Sequence, residues 1–155
     1  MKRDKAAQAA IKTRAHILII EARFYAELCD ELAKGAIAAI ERAGATWERH
    51  AVPGALEIPG AIAAAAKAKR FEGYVALGCV LRGETSHYDI VANESARGIM
   101  DLTMNGLAVG NGILTCETEE QAVARAAPDG HDKGGAAARA CLALMETRAW
   151  LEGAR

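Results

Sequence analysis

Residues 74–81 (YVALGCVL) run apolar, and at Arg82-Gly83-Glu84-Thr85-Ser86-His87 the chain turns abruptly polar before a helical pattern begins. A buried strand, a Gly-containing polar turn and then a helix make up the unit from which parallel α/β sheets are built. No other stretch restricts the fold as much. At the start of a helix the backbone N–H groups are free, and the dipole behind them favours a bound anion. Within those six residues the turn also offers a guanidinium, a carboxylate, two hydroxyls and an imidazole.

The same alternation recurs along the chain. Residues 15–21 (AHILIIE) read as a buried strand, with 22–25 as the loop at its carboxyl end. Leu28, Leu32, Ala36, Ala39 and Ile40 recur at helical spacing, and Gly44 stops that helix. Residues 46–52 alternate loosely as a more exposed strand ended by Pro53-Gly54. An Ala-rich helix runs to about residue 70, with Pro59 in its first turn, where a missing N–H costs little. A third helix spans about 86–105, with Val91, Ser95, Ile99 and Leu102 on one face and Gly106 at its end. Residues 107–114 read as the fourth strand, and Thr118-x-x-Gln121 opens a short helix as a capping box. Residues 128–133 form a loop, and Gly134 or Gly135 leads into a last helix with Ala138, Cys141, Leu142 and Met145 towards the core. This pattern predicts a four-stranded parallel sheet with helices on both faces. Function is then expected where the loops 22–25, 53–57, 81–87 and 111–116 meet at the carboxyl ends of the strands.

Composition narrows the function. At 155 residues the chain suits one domain with a real core, over 14–155, preceded by a mobile Lys/Ala-rich arm over 1–13. A net charge of -1 and a pI near 6.4 make no electrostatic case for nucleic acid or an anionic membrane. No apolar run approaches the length of a membrane span, and the basic N-terminus precedes too short an apolar stretch for a signal peptide. Cys29, Cys79, Cys116 and Cys141 are widely spaced with no CxxC pair. The expectation is therefore buried, reduced thiols in a cytoplasmic protein, without zinc or disulfides. Aromatic residues are scarce and Ala and Gly abundant, which suits close helix packing in a layered subunit.

Several blocks carry a resemblance. Arg23-Phe24, VPGALEIP from Val52, LGCVLRGETSHYDIV from Leu77 and NESARGI from Asn93 occur in an order and spacing similar to the lumazine synthase family. The resemblance extends from about Ala15 to the last helix. It implies a flavodoxin-like three-layer α/β/α sandwich and an enzyme of the penultimate step of riboflavin biosynthesis. The implied reaction joins 5-amino-6-(D-ribitylamino)uracil to 3,4-dihydroxy-2-butanone 4-phosphate, giving 6,7-dimethyl-8-ribityllumazine, phosphate and water. No metal or organic cofactor is implied. The expected partners are these small molecules and further copies of the chain, in a homopentamer with active sites between subunits.

The resemblance also assigns roles residue by residue. Phe24 would stack on the pyrimidine, although a Phe at a strand end is otherwise as readily a core residue. Ala55 and Leu56 would border the ligand, and Glu57 would accept hydrogen bonds from the ribityl hydroxyls. Glu57 also suits a helix N-terminus, and both roles are compatible. Val80 and Leu81 would present backbone groups to the pyrimidine edge, where their residue types alone indicate only strand core. Gly83, Glu84 and Thr85 would receive the substrate phosphate, with Gly83 permitting a tight turn, and Arg82 before them would also bind substrate. By residue type alone, the same turn reads as an ordinary helix cap. His87, whose ordinary pKa of about 6.5 suits proton transfer near neutrality, is the catalytic candidate.

Arg125 would reach across the subunit interface to the phosphate, and Lys133 lies near it in the pattern; as residues alone they read as solvated charges. Asn111 departs from the apolar residue common in the family and leaves open a non-catalytic flavin- or lumazine-binding role. Pro128-Asp129-Gly130 replaces the turn of capsid-forming members, which favours a free pentamer. A flavodoxin-like signalling module would want clustered acidic residues at the first strand end for Mg²⁺, and Glu21-Ala22-Arg23-Phe24 does not supply them.

Overall fold

The computed structural model describes residues 11–153, so most of the expected N-terminal arm lies outside the described residues. Four parallel strands, β1 (His16–Ala22), β2 (Thr46–Val52), β3 (Gly73–Leu81) and β4 (Val109–Cys116), form one sheet in the order β2-β1-β3-β4. Helices α1 (Ala26–Arg42), α2 (Ile58–Lys67), α3 (His87–Met104), α4 (Glu119–Ala126) and α5 (Lys133–Leu151) connect or follow them. This is the flavodoxin-like strand order, and the chain reverses direction across the sheet at β1 and β3.

Strand alternation divides the core between the two faces. Ile17 and Ile19 of β1 pack with Leu32, Ala36 and Ile40 of α1, Ala122 and Ala126 of α4, and Ala138 and Cys141 of α5. On the other face Leu18, Ile20 and Ala22 meet Ile58 and Ile62 of α2 and Ile99 of α3. Central β3 is buried along nearly its whole length, as a strand covered on both faces should be.

The predicted boundaries hold at most ends. Gly44 and Gly106 have φ of +85° and +94°, and each follows the last turn of a helix, where a side chain would be strained. Thr118 Oγ1 accepts from the Gln121 N–H at 3.3 Å, which starts α4 as expected. Its reciprocal bond is displaced by one residue, since Gln121 Oε1 accepts from Glu117 N–H at 2.9 Å. The fourth strand starts two residues later than its apolar pattern suggests. Leu107 N–H is used to close α3, on the carbonyl of Leu102, and pairing with β3 begins only at Tyr74 and Val109. Consequently residues 111–116 lie within β4 and are not a loop at its carboxyl end. Lys133, expected in a loop, is the first residue of α5, because Asp132 caps that helix by accepting from Gly135 N–H.

Candidate functional site

A cleft of about 490 Å³ opens at the carboxyl ends of β1 and β3, where the strand order reverses. That volume suits a small heterocyclic ligand. Its walls are Ala22, Phe24 and Tyr25 after β1, Gly54 to Glu57 after β2, Cys79 to Leu81 ending β3, and His87 and Val91 on α3. The candidates Phe24, Ala55, Leu56, Glu57, Val80, Leu81 and His87 therefore converge on one space. Phe24 is 76% exposed, which removes the core alternative. It stands on a short 3₁₀ turn (Arg23–Tyr25), touching the Tyr25 ring edge-on with centroids 5.0 Å apart. Leu56 is 43% exposed in a second 3₁₀ turn (Ala55–Glu57) that leads into α2.

Beyond the cleft, residues 82–86 form an exposed turn. The helix-cap alternative is not realised at Ser86, whose side chain makes no capping bond; Thr85 Oγ1 accepts the His87 N–H at 3.3 Å. The turn does not itself require Gly83. Its φ lies outside the left-handed region, and a Cβ there would meet nothing within 4 Å. The bare backbone thus leaves room for an approaching group. Arg82 is already engaged by its own chain: Nε donates to Glu117 Oε2 at 2.8 Å, and the guanidinium lies 4.1 Å from the centroid of the Tyr88 ring. It ties the turn before α3 to the turn before α4.

Three candidates stand apart from the cleft. Asn111 sits in the middle of β4 opposite Ala76, and its Oδ1 accepts from the Ile113 N–H at 2.9 Å on the free edge of the sheet. Arg125 is in the last turn of α4, donating to the Gln121 carbonyl at 3.0 Å. Lys133 opens α5. All four cysteines are free and buried. Burial pushes the thiols of Cys79 and Cys141 up to about 12 and that of Cys29 up to about 11, and raises that of Cys116 as well, so none is a nucleophile at neutral pH. Among the described residues no group of three or more His, Cys, Asp or Glu side chains could hold a metal ion. A second groove, of about 430 Å³ between α1 and α4, contains none of the candidates.

Sequence reasoning did not find Tyr25, Cys79 or Val91, which also line the cleft. Val91 lies one helical turn after His87, and that spacing could have identified it. Also unforeseen is a ring of charges behind Phe24. Glu21, with a side chain only 4% exposed, accepts from Arg49 Nε at 3.0 Å and from an Arg23 terminal nitrogen at 2.7 Å. Asp30 accepts from the same two arginines at 2.8 and 3.3 Å. Those contacts, with Arg23 first and Arg49 second, hold the Asp30 carboxyl below its ordinary range.

Comparison with known proteins adds to this geometry. Residues 14–149 match the family model for 6,7-dimethyl-8-ribityllumazine synthase. A protein of that name from Sphingopyxis alaskensis is 60% identical over 84% of this chain and 93% of its own length. One from Novosphingobium aromaticivorans is 60% identical over 86% of this chain and 96% of its own. Another, from Agrobacterium fabrum, is 52% identical over 91% of this chain and 99% of its own. With the family model spanning nearly the whole described chain and the cleft at the expected sheet position, the chain belongs to the 6,7-dimethyl-8-ribityllumazine synthase family.

Proposed function

We propose that this protein condenses 5-amino-6-(D-ribitylamino)uracil with 3,4-dihydroxy-2-butanone 4-phosphate to 6,7-dimethyl-8-ribityllumazine, phosphate and water, in riboflavin biosynthesis. One observation carries the reading. In a chain of this family, Phe24, Leu56, Val80 and His87, drawn from three separate strand–helix segments, face a single cleft at the strand-order reversal. Phe24 supplies the stacking platform, the ends of β3 meet the pyrimidine edge, and Glu57 takes the ribityl hydroxyls. The open turn Gly83–Thr85 receives the phosphate. The 5-amino group and the ketone, held together, lose water to form an imine. A proton leaves the adjacent carbon as phosphate departs. The ribityl-bearing amine then closes the ring with loss of the second water. His87 is positioned to carry protons in these steps, and alignment of the two reactants supplies much of the acceleration.

The site is shared between copies in a homopentamer, in our reading. Arg125 and Lys133 lie away from the cleft of their own chain, at the end of α4 and the start of α5, and are available to a neighbour's. Ile90, Met100 and Met104 are exposed along one face of α3, 53%, 56% and 80% respectively, opposite its buried Ser95 and Ile99, and so offer an apolar contact surface. The loop 128–132 favours a free pentamer over a capsid. Four buried free thiols fit a cytoplasmic location. Asn111 does not favour the binding-only alternative, since its side chain is committed to the edge of β4.

The test is a coupled comparison of purified protein and uncatalysed background, following the lumazine product by absorbance with both substrates present. Acceleration is expected. Arg125→Ala should raise the KM for the phosphate substrate by roughly tenfold or more, the range for losing a charge-assisted contact. No acceleration by a folded pentamer would overturn the proposal, and an unchanged KM would remove Arg125 from the phosphate site.

A further inference from the structure

Phe24 stands 76% exposed in the wall of the cleft, and among the described residues only the Tyr25 ring edge steadies it as an aromatic contact. Its direction therefore depends on the backbone of the turn Arg23–Tyr25. Neither that turn nor the start of α1 has a side-chain cap. What holds this segment is the charged ring beneath it. Arg23, the residue before Phe24, donates to Glu21 at 2.7 Å and to Asp30 at 2.8 Å. Arg49 of β2 donates to the same two carboxylates at 3.0 and 3.3 Å. Two positive and two negative groups thus close a neutral circuit joining β1, the turn, α1 and β2. Glu21 is its inner member, pointing beneath α1 on the face it shares with Ile17 and Ile19. Buried charges persist only where paired and hydrogen-bonded, as here.

We propose that Arg23, with Glu21, Asp30 and Arg49, is a positioning device that aims Phe24 at the heterocyclic substrate. The device sets affinity for the aromatic reactant and not for the phosphate. This inference rests on the reading of the cleft as the lumazine-forming site. Arg23 acts through Phe24 and touches no substrate.

The experiment is steady-state kinetics on Arg23→Met, Phe24→Ala and the double variant, each confirmed folded by its thermal transition and assembly size. Arg23→Met should raise the KM for the ribitylaminouracil by about threefold to tenfold, the range that one aromatic contact carries. The KM for the phosphate substrate and kcat should stay within about twofold, inside the usual scatter of independent effects. In the Phe24→Ala background, Arg23→Met should add nothing. Equal rises in both KM values, or a full Arg23 effect without Phe24, would overturn the proposal and leave the ring a structural one. Should Arg23→Met not fold, Asp30→Asn, at the half-exposed edge of the ring, is read in the same way. Wild-type protein that neither turns over nor binds the lumazine product would instead refute the assigned function. An active wild type with unaltered variants refutes only this inference.

Discussion

His87 and the cysteines show how placement determines what a reactive side chain does. His87 is exposed at the first position of α3 and borders the cleft, so proton exchange with a ligand is open to it. Replacing it with Ala should lower kcat by about 10²-fold to 10⁴-fold, the share general acid–base help carries. Orientation by the rest of the site should leave the rate above background, and stopped assays at high enzyme concentration would measure the remainder. Cys79, at the end of β3, also borders the cleft, yet burial raises its thiol to about 12. Its proton stays on in the folded chain where the unfolded chain loses it, so the folded state binds more protons at alkaline pH. The contribution of this thiol to stability should therefore be constant below about pH 8.5 and fall as pH rises above that value. Denaturant midpoints between pH 7 and 10 would record the slope. Iodoacetamide at pH 7 should leave all four thiols intact until the protein is unfolded.

Among the elements, β4 and α5 approach one another backbone to backbone. A Cβ on Gly110 would lie 1.8 Å from the Ala137 carbonyl oxygen, a backbone atom that no rotamer change can move. Gly110→Ala should force the helix off the sheet and cost at least the upper part of the roughly 1–3 kcal/mol typical of overpacking, as read from urea denaturation. Gly110 and Gly112 both approach Ala137. The late start of β4 has a separate cause, the Leu107 N–H spent on the end of α3. An apolar pattern through residues 107–114 does not reveal which of its residues will pair with β3. The charged ring was equally hidden. Glu21 ends an apolar strand, and nothing local in the sequence pairs it with Arg49, yet α1 covers it and two arginines neutralise it.

For the whole molecule, the apolar face of α3 leads to the clearest expectation. Ile90, Met100 and Met104 are exposed in the single chain while the opposite face is buried in the core. If that face lines subunit contacts, Met104→Glu buries an unpaired carboxylate at each one. Sedimentation or light scattering should then show dissociation towards smaller species, with activity lost in parallel because Arg125 and its neighbour's cleft separate. A pentamer of wild-type mass and rate from Met104→Glu would exclude this face from the interface.

The order of strands and helices was legible in the sequence because periodicity, Gly44, Gly106 and the Thr118 cap are local signals that act on neighbouring residues. Family blocks such as Arg23-Phe24 and the turn before His87 likewise survive as contiguous residues, which made most of the cleft's walls nameable in advance. Convergence was a different matter. Parallel strands are joined by long crossovers, so Phe24, Leu56, Val80 and His87 meet only once the sheet has the order β2-β1-β3-β4. Register decided the rest, placing Asn111 within β4 opposite Ala76 and away from the cleft. Pairing also brought Arg49 beside Ile19 on β1, within reach of Glu21, where charges distant in sequence neutralise each other.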